Sequence, residues 1–475
     1  IFDTTGNVVI ANNRNNTINS NLKYNDAIDD ILVYNRKLTD QEILNIRNAG
    51  GFCVAPSNSV ISSTAITETS IALATPATAH EVAYHKSSEP FANATIITQV
   101  FNNTTINGLD SSTPYRFYVR TPCAATGTSG WSSAKTIRTA GIIYVNHAAT
   151  GNNDGSSWAN AYTELRNPVR FSNSNAEFWV AGGTYKAHAT RRDVYFHVEQ
   201  PNIKIYGGFV GTETSISQRI VGTNETILSG DLQDDDANLT DYALNYANTT
   251  RNTDNSYHII NIAATANNLL LDGLTISDAH NNLSGTERGG AIIKEKTVTK
   301  LTLKNCIIKD NVSRNDNAGL LAEFELNNAF SARGALIVEN CQFINNMSRW
   351  GSGIYSFVRN NSKVDITVAN SLFDNNLAGD LNNTPAKGIS GSAAWFRTLN
   401  NGSNTSLNLT NNTFVNNIDV GTNSVSNLTR AVVAISNESG ATGVLNAQVN
   451  NCIFWSNTGL GGATIRSITD LYKAP

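Results

Sequence analysis

The densest group of residues able to do chemistry is the run Asp231-Leu232-Gln233-Asp234-Asp235-Asp236, with Asp241 a few positions on. Carboxylates bunched in one loop are the donors a hard cation takes, so Asp231, Asp234 and Asp236 are candidate calcium ligands. Calcium is the one cofactor the sequence admits, and none is required. The spacing matches no defined calcium loop, and a solvated polar loop competes with the metal. Elimination on a uronic acid would also need a Lys, Arg, His or Tyr as base and charge neutraliser. His258, His280, Arg288, Lys294 and Lys296 are the nearest supply, and nothing in their spacing makes them converge. Hydrolysis of a glycosidic bond would need paired carboxylates, but Asp272 and Asp278 stand alone in their segment and Asp310 opens the next loop. No Gly-x-Ser-x-Gly turn occurs in the sequence. Covalent chemistry therefore ranks below binding.

These residues are spread over a series of repeats. Leu269-Leu270-Leu271-Asp272-Gly273-Leu274-Thr275-Ile276 returns as Leu301 to Ile308, Leu336 to Phe343, Ile366 to Phe373, Leu407 to Phe414 and Ala447 to Phe454. An inexact period of short alternating strands, joined by variable Asn/Gly/Ser loops, predicts a solenoid in which each copy buries its apolar face only by stacking on its neighbours. Leucine-rich repeats would need shorter, more regular units, and a propeller would need antiparallel blades. Asn305, Asn340, Asn370, Asn411 and Asn451 recur at one position, followed by Cys306, Cys341, Ser371, Asn412 and Cys452. Asn346, Asn376, Asn417 and Asn457 recur at a second position. In-register asparagines, inward or at a corner, can bond to one another and to turn carbonyls. Phe343, Phe373, Phe414 and Phe454 should form an interior row. The repeat cysteines read as small buried hydrophobes, unpaired because whole coils separate them, since a metal would want thiolates converging in one coil. Between the copies, Gly289-Gly290-Ala291-Ile292, Ala318-Gly319-Leu320-Leu321, Gly351-Ser352-Gly353-Ile354 and Gly391-Ser392-Ala393-Ala394 offer small residues where backbones approach.

Two further segments precede the repeats. Residues 1–50 hold Ala27-Ile28-Asp29-Asp30-Ile31-Leu32-Val33-Tyr34-Asn35-Arg36 and a short capped helix after Thr39 that Gly50-Gly51 ends. That is too little for an independent sandwich core. Residues 51–140 show short strands at Ser70 to Ala74, Glu81 to Tyr84 and Thr105 to Leu109, with Tyr115, Phe117 and Val119 alternating along one face. Residues 141–475 are the solenoid.

The chain has 475 residues, of which 40% are hydrophobic and 15% charged, with a net charge of -4. It carries 66 asparagines, about one residue in seven. A nucleic-acid binder would need a basic surface, so that class is excluded. No apolar run approaches a membrane-spanning helix. Ile1 without an initiator Met, and the ending at Lys473-Ala474-Pro475, lead us to expect a processed or excised portion of a longer chain, from either end of which a secretion signal could have been lost. Five cysteines do not make a disulfide-dense scaffold.

Several runs resemble known families. The "IDDI-x-x-YNR-x-L-x-x-x-EI" run at residues 28–43 is similar to the ending of a laminin-G/concanavalin-like jelly roll. Leu109-Asp110-Ser111-Ser112-Thr113-Pro114-Tyr115, with Gly130-Trp131-Ser132-Ser133 leading to Ile137-Arg138-Thr139, resembles a fibronectin type III domain. That resemblance implies a sandwich in which Tyr115 anchors its hydroxyl to nearby backbone. It also implies a Cys53–Cys123 disulfide contributing about 3 to 4 kcal/mol. The family usually has a core Trp where this sequence has Thr75-Pro76. The pairing of Gly289-Gly290-Ala291-Ile292 with Phe-x-x-Asn, together with Tyr206-Gly207-Gly208-Phe209 and Ile227-Leu228-Ser229-Gly230-Asp231, resembles the right-handed parallel β-helix of polymorphic outer-membrane-type and Bacteroidetes-type surface proteins. The expectation is an all-β chain: a right-handed parallel β-helix of roughly ten coils with N-terminal β-sandwich modules. Its expected place is outside the cell or on a bacterial outer surface, with a glycan or cell-surface partner and contact with bacterial secretion or surface-anchoring machinery. A noncatalytic adhesion or glycan-contact module leads; a β-helix polysaccharide lyase or hydrolase and a structural spacer are the alternatives. Loops at 278–290, 311–318 and 377–392 would supply contact area.

Overall fold

The computed structural model describes residues 55–75, 80–100, 103–123, 127–236, 253–283, 289–314, 317–326, 333–379, 390–399, 402–419, 430–438, 443–459 and 472–473. The laminin-G-like segment and Cys53 lie outside the described residues, as does the Cys123 side chain, so the expected disulfide does too.

The described residues before 141 form two main antiparallel sheets and a two-stranded ribbon of Pro122–Cys123 with Gly127–Thr128. Ser62–Ile66, Ser70–Ala74 and Thr104–Asn107 form one; Thr95–Val100, His80–Lys86, Pro114–Arg120 and Lys135–Arg138, in that order, form the other. Period-two alternation puts Ile71, Leu73, Val82, Phe117 and Val119 between them, each fully buried. The Tyr115 hydroxyl accepts the Asp110 N–H at 2.9 Å, tying the loop before its strand to the core.

From Ile142 onward every sheet among the described residues is parallel. Nine strands from Ile142–Val145 to Val444–Asn450 form the first sheet; eight from Gly183–Lys186 to Ile453–Trp455 form the second; eight from Phe196–Val198 to Tyr472–Lys473 form the third. Six two-residue strands, His280–Asn281 to Thr458–Gly459, form a fourth between the second and third. The chain visits first, second, fourth and third sheets in turn and returns to the first, which is a parallel β-helix. Its nine coils, against roughly ten expected, stack over roughly 40 Å at about 4.8 Å each. The repeats keep the register read from them: Leu269 pairs with Leu301, then Leu336, Ile366, Leu407 and Ala447 follow. In the small-residue segments one copy slips by a position, because Leu320, and not Leu321, stands opposite Ile292 and Ile354. Gly290 is fixed there by crowding: a Cβ would lie 1.8 Å from the Ala318 oxygen.

The two asparagine sets serve different corners. Asn305, Asn340, Asn370, Asn411 and Asn451 turn the chain from the first sheet to the second with φ of 50–57°, a left-handed conformation that Asn tolerates. They sit on the outside of the corner; Asn340 Nδ2 donates to Asn305 Oδ1 at 2.6 Å and Asn411 Nδ2 to Asn370 Oδ1 at 3.1 Å. Asn346, Asn376 and Asn417 lie inside and are fully buried, joined at the start by Asn311, which has the same spacing in its copy but follows Ile308 where the later copies have Phe. Asn311 Nδ2 donates to Asn346 Oδ1 at 2.9 Å, Asn346 to Asn376 at 3.0 Å, Asn376 to Asn417 at 2.9 Å and Asn417 to Asn457 at 3.0 Å. Each spare amide hydrogen goes to a coil carbonyl, such as Phe343 O from Asn376 at 2.8 Å.

Phe343, Phe373, Phe414 and Phe454 stack with centroids 4.7–4.8 Å apart. The first three are buried; Phe454, in the last coil, is 37% exposed. Cys306, Cys341 and Cys452 are free thiols, but whole-coil separation is not the reason for the first two. Adjacent coils are about 4.8 Å apart, inside disulfide reach. Cys341 lies against Cys306, and its thiol is pushed up mainly by burial.

Candidate functional site

The acidic run grows out of the same corner that carries the interior amides. Ser229 pairs with Ser277 and Ser277 with Lys309, so Asp231 takes the place in its coil that Ala279 and Asn311 take in the next two. There the chain leaves the ladder. Asp231, 8% exposed, turns its carboxylate back on its own loop and accepts the N–H groups of Gln233, Asp234 and Asp236 at 3.2, 2.7 and 3.2 Å. This folds the loop so that one carboxylate oxygen from each of Asp231, Asp235 and Asp236 lies within 4.8 Å of the others. Asp234 instead pairs with Lys186 at 2.7 Å. Two more segments close the group. The chain returning toward the third sheet brings Asp254, which accepts the Gln233 N–H at 3.0 Å, and Asn255, whose Nδ2 donates to Asp236 Oδ2 at 2.6 Å. The next coil brings Asp278, whose backbone oxygen accepts the same Asn255 nitrogen at 2.7 Å.

Asp278 therefore does not stand alone, as it does in the sequence: stacking places it beside the coil that carries Asp231. Burial first, then the charges of Asp231, Asp278 and Asp254, push the Asp236 carboxyl up to about 7. Asp278 is pushed up to about 6, by burial and then by Asp310 and Asp231. The donor set is oxygen only, which suits a hard cation.

The cationic residues considered for elimination go elsewhere. Lys294 is inside the coil, fully buried, its Nζ donating to Glu323 O at 2.6 Å and lying 3.7 Å from the Phe324 ring centroid. Burial holds its ammonium well below the usual lysine range. His258 is buried against Tyr195 with Nδ1 2.9 Å from Gly290 O, and burial lowers it to about 4. Lys296 pairs with Glu325 at 3.0 Å, and Asp272 with Arg219 at 2.8 Å. His280 is buried, its backbone oxygen accepting from Arg192 at 3.1 Å. Arg288 and Asp241 lie outside the described residues.

A second surface was not foreseen. The third-sheet strands Ile292–Lys294, Leu320–Phe324, Ile354–Val358, Ser390–Leu399 and Arg430–Glu438 follow connections of unequal length. The face of the third sheet turned away from the coil interior is aromatic, and its Tyr355, Phe357 and Trp395 are buried, with half-buried Trp350 packed against them. Tyr355 pairs with Trp395 across the strands and stacks on it at 4.9 Å, with Trp350 6.4 Å from Trp395. Arg397 lies 4.5 Å from the Trp395 ring and donates to the Tyr355 hydroxyl at 2.9 Å; Arg349 lies 4.4 Å from Trp350. Trp350 Nε1 and Arg349 Nε have no hydrogen-bond partner. The sequence signal was the Arg349-Trp350 pair just before Gly351, hidden because these residues do not recur in the other copies.

No protein-family model and no curated protein matches the chain. Among solved structures it is similar to a Yersinia enterocolitica family 28 exopolygalacturonase, at 12% identity over 87% of this chain and 97% of that one, with a TM-score of 0.17. It is also similar to Escherichia coli YbhC, at 12% identity over 71% of this chain and 89% of that one, with a TM-score of 0.25. At these scores neither overlay carries a functional argument; the parallel β-helix stands on the strand order itself.

Proposed function

We propose that the chain is a noncatalytic surface module that contacts glycan through Arg349 and Trp350, beside the third sheet. It belongs outside the cell or on a bacterial outer surface, as part of a larger secreted protein of the Bacteroidetes type whose fibronectin-like and laminin-G-like modules act as spacers and whose secretion or anchoring machinery is bacterial. One observation supports the glycan contact: the half-buried Arg349 and Trp350 stand together at the edge of the buried Tyr355–Trp395 stack. A sugar offers complements to the parts of these two side chains that reach solvent, hydroxyl oxygens for the guanidinium and an apolar ring face for the indole. The low charge of the chain favours neutral or weakly anionic polymers over electrostatic capture. Titration against a panel of neutral and uronate-containing polysaccharides tests this. Reversible binding without product, weakened about tenfold or more by Trp350→Ala, supports it; absence of binding across the panel leaves a spacer.

A polysaccharide lyase or hydrolase is favoured by one different observation, the meeting of Asp278 with Asp231 and Asp236 of the neighbouring coil. New reducing ends or unsaturated uronate absorbance, abolished by Asp278→Asn, would establish it in place of the noncatalytic module.

A further inference from the structure

We propose that Asp231, Asp235, Asp236 and the Asn255 amide oxygen form a calcium site, which fastens the chain leaving the second sheet to the chain entering the third. The carboxylates alone would not carry this, since acids on a loop are common. Asn255 supplies the independent observation. It is 1% exposed, and its Nδ2 is committed to two acceptors, Asp236 Oδ2 and the Asp278 backbone oxygen. Those two acceptors fix which end of the amide is nitrogen. The oxygen is then left buried with no hydrogen-bond partner, on the side chain that touches the cluster. A buried acceptor without a donor is costly, and a cation among neighbouring carboxylates is the partner such an oxygen lacks.

Charge points the same way. Among the described residues, Lys186 bonds to Asp234, which stands outside the three grouped carboxylates. A divalent ion would offset the repulsion among them, and carboxylate plus amide oxygens on a loop are calcium donors. The proposal is independent of the glycan contact, which uses other residues on other coils.

The test is calorimetric titration of Ca²⁺ into the full chain after chelator treatment, alongside thermal melts with Ca²⁺ and with chelator. One saturable site per chain is expected, with a higher melting temperature in Ca²⁺. Asp235→Asn and Asn255→Ala should each weaken binding about tenfold or more, about 1.4 kcal/mol. Asp234→Asn should stay within about twofold, because that carboxylate serves Lys186. Asp235 is exposed, so D235N decides the matter if N255A does not fold. Absence of saturable binding would overturn the site. So would an equal loss in D234N and D235N, which would mark a diffuse acidic patch, or wild-type affinity in a folded N255A.

Discussion

In the coils from Lys300 onward the chain turns between its second and fourth sheets on a buried asparagine, whereas in the coil holding Thr226–Ser229 the same corner opens into Asp231 to Asp236. The two regions share backbone pairing and differ in what fills one slot. Where the slot holds Asn311, Asn346, Asn376 and Asn417, each amide satisfies its neighbour and a coil carbonyl, so the corner is stiff and self-sufficient. Where it holds Asp231, there is no amide to pass along. The carboxylate collects loop N–H groups, and acids from three segments gather around it. Repetition stabilises the later coils; its interruption in the earlier ones leaves groups in need of a partner.

Removing the shared row should produce the largest effect. Phe373→Ala, between Phe343 and Phe414, should cost about 3 to 5 kcal/mol in denaturant melts through transfer and cavity terms. A loss below about 1 kcal/mol would contradict the interior row. Asn376→Ala should follow at about 3 kcal/mol, because it takes the acceptor from the Asn346 N–H and Nδ2 and one donor each from Asn417 Oδ1 and the Phe343 carbonyl at once. A cost under about 1 kcal/mol would mean that the interior ladder is decorative.

The earlier region should respond to pH instead. His258 is neutral when folded and is lowered to about 4, from 6.5 in the free side chain. Its penalty is absent above pH 6.5 and grows as pH falls toward 4, reaching about 3 kcal/mol. Melts of wild type and His258→Gln between pH 7 and 4 should converge toward, or cross in favour of, the variant in acid; parallel curves would contradict it. The smallest effect belongs to the outer corner. Asn340→Gly should change stability by less than about 0.5 kcal/mol, and Asn340→Ala should cost about 1 kcal/mol for its left-handed φ of 53°. The coil before the Asn305 coil already uses Gly273 at that place, at φ 74°.

The later coils were legible because one slot repeats one residue type: Phe at 343, 373 and 414, and Asn at 346, 376 and 417, mark out their own stacking rows. The first three coils were not, since Glu177–Ala181 and Lys204–Phe209 share apolar character but no marked position. The inner and outer asparagines could not be told apart because both follow a strand; the backbone conformation decides, with Asn340 left-handed and Asn346 not. At the acidic corner the composition was visible, but Asp235 in place of Asp234, the role of Asn255 and the approach of Asp278 depend on how segments roughly 20 to 50 residues apart stack. The aromatic face escaped notice for the opposite reason: Trp350, Tyr355 and Trp395 each occur once, and only parallel pairing brings them together.

Backbone hydrogen exchange of the chain with and without a bound polysaccharide tests the central claim most directly, since it shows which of the two regions meets the ligand. Protection on loading should concentrate in residues 349–357 and 395–397, around Trp350, Tyr355 and Trp395, with 229–236 and 255–281 unchanged. Protection confined to the acidic corner, with none at 349–357, would contradict it and move the ligand to the carboxylates.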